Sequence, residues 1–193
     1  EARRDLRFWL LLFSVMIITG CCASVVQQLA SYVSDIGYSY EVSAMVSSCS
    51  LGLMAVGKLL TGRMYDKLGV RTSTLICMAC VIGGIGILSM AASGVAFIGV
   101  FLVLFGVGCA LTTVAYPILT TALFGNRDYS SIYGIVNVAN SVGTAVGSPI
   151  AAAIFDSQGS YVPAWYLAAA LLCVDFVVLL IMFRKKPAAE AVH

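Results

Sequence analysis

The chain alternates long apolar runs with short polar breaks. A helix rising 1.5 Å per residue needs roughly 20 apolar residues to cross the hydrocarbon core of a bilayer. Six runs come up to that length: Phe8–Val33, Val42–Gly62, Thr72–Ala92, Val95–Phe124, Ser131–Phe155 and Pro163–Phe183. The pattern predicts six spanning helices. The runs differ in their polar residues. At 100° per residue, Ser14, Cys21, Ser24, Gln28, Ser31 and Tyr32 form one stripe on the first run. Cys109, Thr112, Thr113, Tyr116 and Thr120 do so on the fourth. Tyr133, Asn137, Asn140, Ser141, Thr144 and Ser148 mark the fifth, and Ser43, Ser47, Ser50 and Gly57 the second. The third and sixth carry almost nothing polar in their middles. Polar groups in hydrocarbon need partners or water. The first, second, fourth and fifth helices are therefore expected to face an interior, and the third and sixth to face lipid more.

Composition sharpens this to an integral membrane protein. Of 193 residues, 61% are hydrophobic and 10% charged, against about 25% charged in soluble domains. Mean hydropathy is +0.99. A net charge of +2 makes nucleic acid an unsuitable partner; the partner surface is the lipid bilayer. The flank Arg3-Arg4-Asp5-Leu6-Arg7 leads into an apolar run longer than a signal-peptide core. Opening on Glu1 rather than Met suggests a processed or excised piece. Seven cysteines (21, 22, 49, 77, 80, 109 and 173) all fall inside apolar runs, where free thiols are expected. Cys77 and Cys80 form a C-x-x-C with no second pair or histidine beside it, which favours helix packing over metal or redox use. No cofactor or metal site is expected.

The charges are sorted by side. Arg3, Arg4 and Arg7 precede the first run; Arg63, Lys67 and Arg71 lie between the second and third; Arg127 lies between the fourth and fifth; Arg184, Lys185 and Lys186 follow the sixth. The other connections hold only Asp35, Glu41 and Asp156. The positive-inside rule makes the basic side cytoplasmic, with both termini on it. Lys58 is read as lying one turn inside the second helix and snorkelling to the same surface. On this reading residues 1–7 are a cytoplasmic linker, 8–183 the membrane unit and 184–193 a cytoplasmic tail of a cell-membrane protein.

Two short motifs stand out. Gly62-Arg63-Met64-Tyr65-Asp66-Lys67-Leu68-Gly69-Val70-Arg71 is a charged, glycine-punctuated connection between apolar runs. Its Asp66-Lys67-Leu68-Gly69 is echoed by Asp156-Ser157-Gln158-Gly159 after the fifth run, on the opposite side of the membrane. Each closes the second helix of a three-helix set, as an inverted three-plus-three repeat would leave it. Gly143 and Gly147 form a G-x-x-x-G suited to close helix packing, and Pro117 and Pro149 are expected to kink their helices.

On these residues the chain resembles the major facilitator superfamily. Gly62, Asp66, Lys67, Gly69 and Arg71 match that superfamily's signature loop, with Val70 departing where a basic residue is common. Gly57-Lys58-Leu59 looks like the segment that precedes the loop. Gly147-Ser148-Pro149, then Asp156, Gly159 and Tyr161, is similar to the end of the eleventh helix in the oxalate/formate antiporter and monocarboxylate porter branch. The resemblance implies an all-α polytopic fold, six transmembrane helices forming the C-terminal half of a twelve-helix transporter, with a missing N-terminal six-helix half as its partner. It implies secondary active transport, as symporter or antiporter, of a small solute such as a monocarboxylate, by alternating access. Gly62, Arg63, Asp66, Lys67, Gly69 and Arg71 would form the gating loop, with Asp66 reaching the other half and the basic residues holding Asp66 or anionic lipid.

Candidate substrate contacts are Gln28, Tyr32, Thr113, Tyr116, Asn137 and Asn140, neutral donors and acceptors near mid-span. No Lys or Arg is expected in the middle third of any helix, so a carboxylate substrate would need its positive partner from the other half, or from dipoles and hydroxyls. Asp175 lies near the middle of the sixth run, where an ionised carboxylate costs about 2.5–3.5 kcal/mol. It is expected to be protonated or turned to a neighbouring hydroxyl or amide, and is a candidate for proton coupling. An enzyme is not expected: the one histidine is His193, and no nucleophile–base or metal motif appears. The alternative within membrane proteins is a non-transporting sensor or a six-helix homodimer.

Overall fold

The computed structural model describes residues 6–124 and 129–184. Six α-helices follow in order: α1 Leu6–Asp35, α2 Tyr40–Leu88, α3 Val95–Gly108, α4 Ala115–Phe124, α5 Tyr129–Gln158 and α6 Val162–Arg184. Arg3, Arg4, Arg127, Lys185, Lys186 and His193 lie outside the described residues, as does most of the expected linker and tail.

The second and third apolar runs are joined differently from expectation. They form one helical stretch of 49 residues, interrupted only at Gly69 (φ 76°, ψ 167°). Tyr65 Oη lies 2.8 Å from Thr74 Oγ1, and Thr61 Oγ1 lies 3.9 Å from Cys77 Sγ. Both pairs straddle residue 69 almost symmetrically, so the chain reverses there and 40–68 lies beside 70–88 as two limbs of a hairpin. The expected loop at 62–71 is thus helix nearly to its tip. Met64, Lys67 and Leu68 are good helix formers, and one glycine with positive φ supplies the whole turn. Five helical segments are long and apolar enough to cross a membrane. With α2 folded in two, the chain makes six passes.

The fourth run is broken rather than continuous. α3 tightens into a 3₁₀ turn at Cys109–Thr112, and α4 begins at Ala115. Pro117 has no N–H to give the carbonyl of Thr113, so the α-helical ladder fails one turn ahead of it. Pro149, by contrast, sits inside an unbroken α5.

Glycines set the closest helix crossings. A Cβ on Gly143 or Gly147 would collide with the α1 backbone at Met16 or Gly20. Gly57 on the first limb of α2 meets Gly106 of α3 in the same way, and Gly108 abuts Cys77 and Val81 on the second limb. Small residues let the backbones approach where lipid offers no hydrophobic drive for association. The third run turns its small and apolar side inward: Ser73, Thr74, Cys77, Met78, Val81 and Ile85 are buried.

At the end away from Gly69, Tyr32 Oη donates to Leu88 O at 2.8 Å, tying α1 to the close of α2. An aromatic group seals this end, with Tyr161 stacked on Phe155 (4.3 Å) and Trp165 (5.8 Å), and Tyr32 edge-on to Trp165 at 5.6 Å. α5 closes here at Gly159, whose φ of 66° matches the handedness of Gly69. All seven cysteines are free thiols.

Candidate functional site: a polar cleft on α1, α2 and α5

A cleft of about 280 Å³ opens between α1, the first limb of α2, the 3₁₀ turn and α5. Thr19, Cys22 and Gln27 line it from α1, Met54 from α2, Cys109, Thr112 and Thr113 from the broken fourth run, and Asn140 and Thr144 from α5. A second hollow of about 480 Å³ continues along α5, sharing Gln27, Asn140 and Thr144 and adding Ser141 and Ser148. The 3₁₀ turn matters here. Its tighter winding leaves Thr113 and Val114 outside both helices, and Thr113 is exposed toward the cleft.

The six expected substrate contacts separate into two groups. Thr113 and Asn140 line the cleft. Asn137 is exposed one turn from Asn140 on the same face of α5. The other three are absent from the cleft lining. Gln28 is taken up by packing: its Nε2 donates to Ser148 Oγ (3.3 Å), at the edge of the second hollow, and its Oε1 accepts from Tyr161 Oη (3.2 Å). Tyr32 is fully buried under the aromatic seal. Tyr116 is buried at 4% exposure, and its hydroxyl has no partner among the described residues. A tyrosine within a helical stripe is as apt to face a neighbouring helix as a cavity, and here packing decides.

Gln27 was missed. It is the exposed neighbour of Gln28 and belongs to both hollows. The helical period alone could not separate adjacent glutamines without knowing which helix each faces.

Lys58 corrects a second expectation. Because the first limb runs on to Leu68, Lys58 stands ten residues inside it, about 15 Å from the tip. It is half-buried and shares a helix face with the cleft-lining Met54 one turn earlier. A cation therefore lies in the middle third of this helical limb, on the Met54 face and five residues before the exposed Arg63.

Asp175 is turned inward, fully buried, and its Oδ2 accepts from Ser14 Oγ at 2.7 Å. Its Oδ1 has no partner among the described residues. At the hairpin tip Arg63, Asp66, Lys67, Gly69 and Arg71 are exposed and Gly62 is half-buried. Asp66 occupies the last turn of a helical limb, not a helix N-terminus. Among the described residues no ion pair joins it to Arg63, Lys67 or Arg71.

Long apolar helices gathered around a polar cleft define a multi-pass helical membrane protein. Residues 8–193 match the sequence profile of the Major Facilitator Superfamily, and the chain belongs to it. It is similar to monocarboxylate transporter 12 of Homo sapiens, 24% identical over 163 residues, and to monocarboxylate transporter 12-B of Danio rerio, 23% identical over 164. Both alignments cover 83% of this chain but 32% and 34% of those proteins, so the chain spans about a third of the curated relatives it matches. Its fold is that of a mutant peptide transporter POT solved in complex with sulfate, with a TM-score of 0.81 at 17% identity, covering 94% of this chain and 38% of that one.

Proposed function

We propose that this chain is the C-terminal six-helix half of a secondary transporter that carries a small organic acid anion by alternating access, partnered by an N-terminal half. The observation that carries the anion is Lys58. Lys58 shares a helix face with the cleft-lining Met54, and a cation on a membrane helix is expensive unless it meets a polar cavity or the aqueous surface. Here it borders a cleft whose other polar groups, Gln27, Thr112, Thr113, Asn140 and Thr144, are neutral donors and acceptors suited to a carboxylate and its substituents. The relatives named as monocarboxylate transporters support the same class.

The inverted three-plus-three arrangement has two supports. Exchanging the two three-helix sets maps the α1–α5 crossing onto the α2–α3 crossing, and both are glycine-on-glycine contacts. The same exchange maps Gly69 onto Gly159, each with positive φ and each three residues after an aspartate. The cytoplasmic side is then the Gly69 side, by its basic residues. Gly62, Arg63, Asp66, Lys67, Gly69 and Arg71 form a gate at that surface; Asp66, free of local ion pairs, is available to the opposite half. Asp175, buried with one carboxylate oxygen unpartnered among the described residues, exchanges the coupling proton.

The test is uptake by the complete protein in proteoliposomes, over a panel of labelled mono- and dicarboxylates with neutral solutes as controls. Saturable uptake of an acid that falls about tenfold or more in Lys58→Gln is expected. Uptake of neutral solutes alone, or full acid uptake by Lys58→Gln, would overturn the anion reading.

A further inference from the structure

We propose that the floor of the central cleft binds a soft monovalent metal ion of the Cu(I) class through Cys22 and Cys109. Cys22 comes from the middle of α1 and Cys109 from the first residue of the 3₁₀ turn, and both side chains are buried against the same cleft. Both are free, and both line the same cleft as Met54, whose thioether comes from the first limb of α2. Thus three sulfur groups from three separate elements border one solvent-reachable cavity.

Thiolate and thioether sulfur is the donor set that selects Cu(I) over harder cations. Binding replaces two thiol protons, which leave to solvent, with one M⁺, and the resulting bis-thiolate complex carries one negative charge. Lys58, one turn from Met54 on the same helix face, supplies the balancing positive charge. No electron transfer is involved, so no oxidant is needed. Nothing hard competes on the floor: the neighbouring lining groups are hydroxyls and amides. The other cysteines lack this arrangement. Cys49 and Cys173 are exposed on the outer faces of their helices, and Cys77 packs against Thr61. An ion held here would tie α1 to the 3₁₀ turn across the cleft and block a cavity that must change shape during transport, an inhibitory site for a thiophilic metal.

The experiment reads binding, not flux, so it stands whatever solute the protein carries. The protein in nanodiscs, kept reduced and anaerobic, is titrated with Cu(I) against the chromophoric chelator bicinchoninate. Retention of one ion per protein is expected. Cys22→Ser and Cys109→Ser should each weaken it by more than the roughly tenfold that loss of an outer-shell partner costs, Met54→Leu should weaken it less, and Cys49→Ser with Cys173→Ser should leave it unchanged. X-ray absorption at the copper edge of the unaltered protein, which needs no variant, should give a shell of sulfur alone. Failure of the unaltered protein to retain Cu(I), equal retention by the double serine variant, or a shell dominated by nitrogen or oxygen would each overturn the site.

Discussion

Ser14 donates its hydroxyl to Asp175 at 2.7 Å, joining α1 to α6 inside the membrane. That single bond is all the described structure offers a fully buried carboxyl, since Oδ1 stands unpartnered. Removing a lone partner from a buried polar group costs about 1–3 kcal/mol. Ser14→Ala is expected to lower the thermal stability of the detergent-solubilised protein by that order. Asp175→Asn keeps an acceptor for Ser14 and should be close to neutral. If Asp175 exchanges the coupling proton, uptake by Asp175→Asn will no longer respond to pH; uptake with the unaltered pH response would leave Asp175 with the structural bond alone.

The α1–α5 crossing makes a second, purely steric prediction. A methyl on Gly147 would overlap the backbone of Gly20, whereas a methyl on Gly134, on the same helix, meets nothing within 4 Å. Overpacking of this kind costs typically about 1–3 kcal/mol. Gly147→Ala should therefore destabilise measurably in thermal unfolding and Gly134→Ala should not. Equal effects would mean that α1 and α5 do not cross at these glycines.

The number of passes, the polar sides of the first, second, fourth and fifth runs, and the glycine packing of α5 were legible from apolar length and helical period. Three things were not. Hydropathy ended the second helix at Gly62 because charged residues begin there, yet Arg63, Lys67 and Leu68 continue a helix well, and only Gly69 interrupts it. That two-turn difference carried Lys58 from near the helix end to ten residues inside its helical limb. The break at Thr113 comes from a proline four residues later, and which side of it winds as 3₁₀ is decided by packing against α1 and α2. Gln28, Tyr32 and Tyr116 were assigned to the cleft by stripe alone; the stripe is wider than the cleft, and its margins belong to the α5, α6 and α2 contacts.

Gly69 should be intolerant for a reason separate from space. Nothing within 4 Å would meet a Cβ there, but φ is +76°. With ψ at 167° this is a backbone region essentially reserved for glycine, and it costs another residue about 1–3 kcal/mol. Gly69→Ala is expected to destabilise by that amount, while Gly62→Ala, in helical backbone with open space, should be neutral or stabilising. Asp66→Asn changes neither conformation nor packing at the tip, because the side chain is exposed. Its expected effect is on the balance between inward- and outward-facing states, read as altered labelling of cysteines introduced on the two faces. Unaltered labelling would reduce Asp66 to a surface charge.

Gln27 and Gln28 provide the sharpest separation of site from scaffold, since they are adjacent and chemically identical. Gln27 is exposed into both hollows. Gln28 holds Ser148 on α5 and Tyr161 in the connection just before α6, one bond to each. Each such bond is worth about 0.5–1.5 kcal/mol net. Gln28→Ala should then lower thermal stability by about 1–3 kcal/mol with little change in substrate KM. Gln27→Ala should do the reverse, raising KM while the unfolding temperature holds. A matched pair of uptake and unfolding measurements on the two variants checks this. The opposite assignment, with Gln28→Ala raising KM at full stability, would put the solute on the α5–α6 side of α1 and require a different cleft.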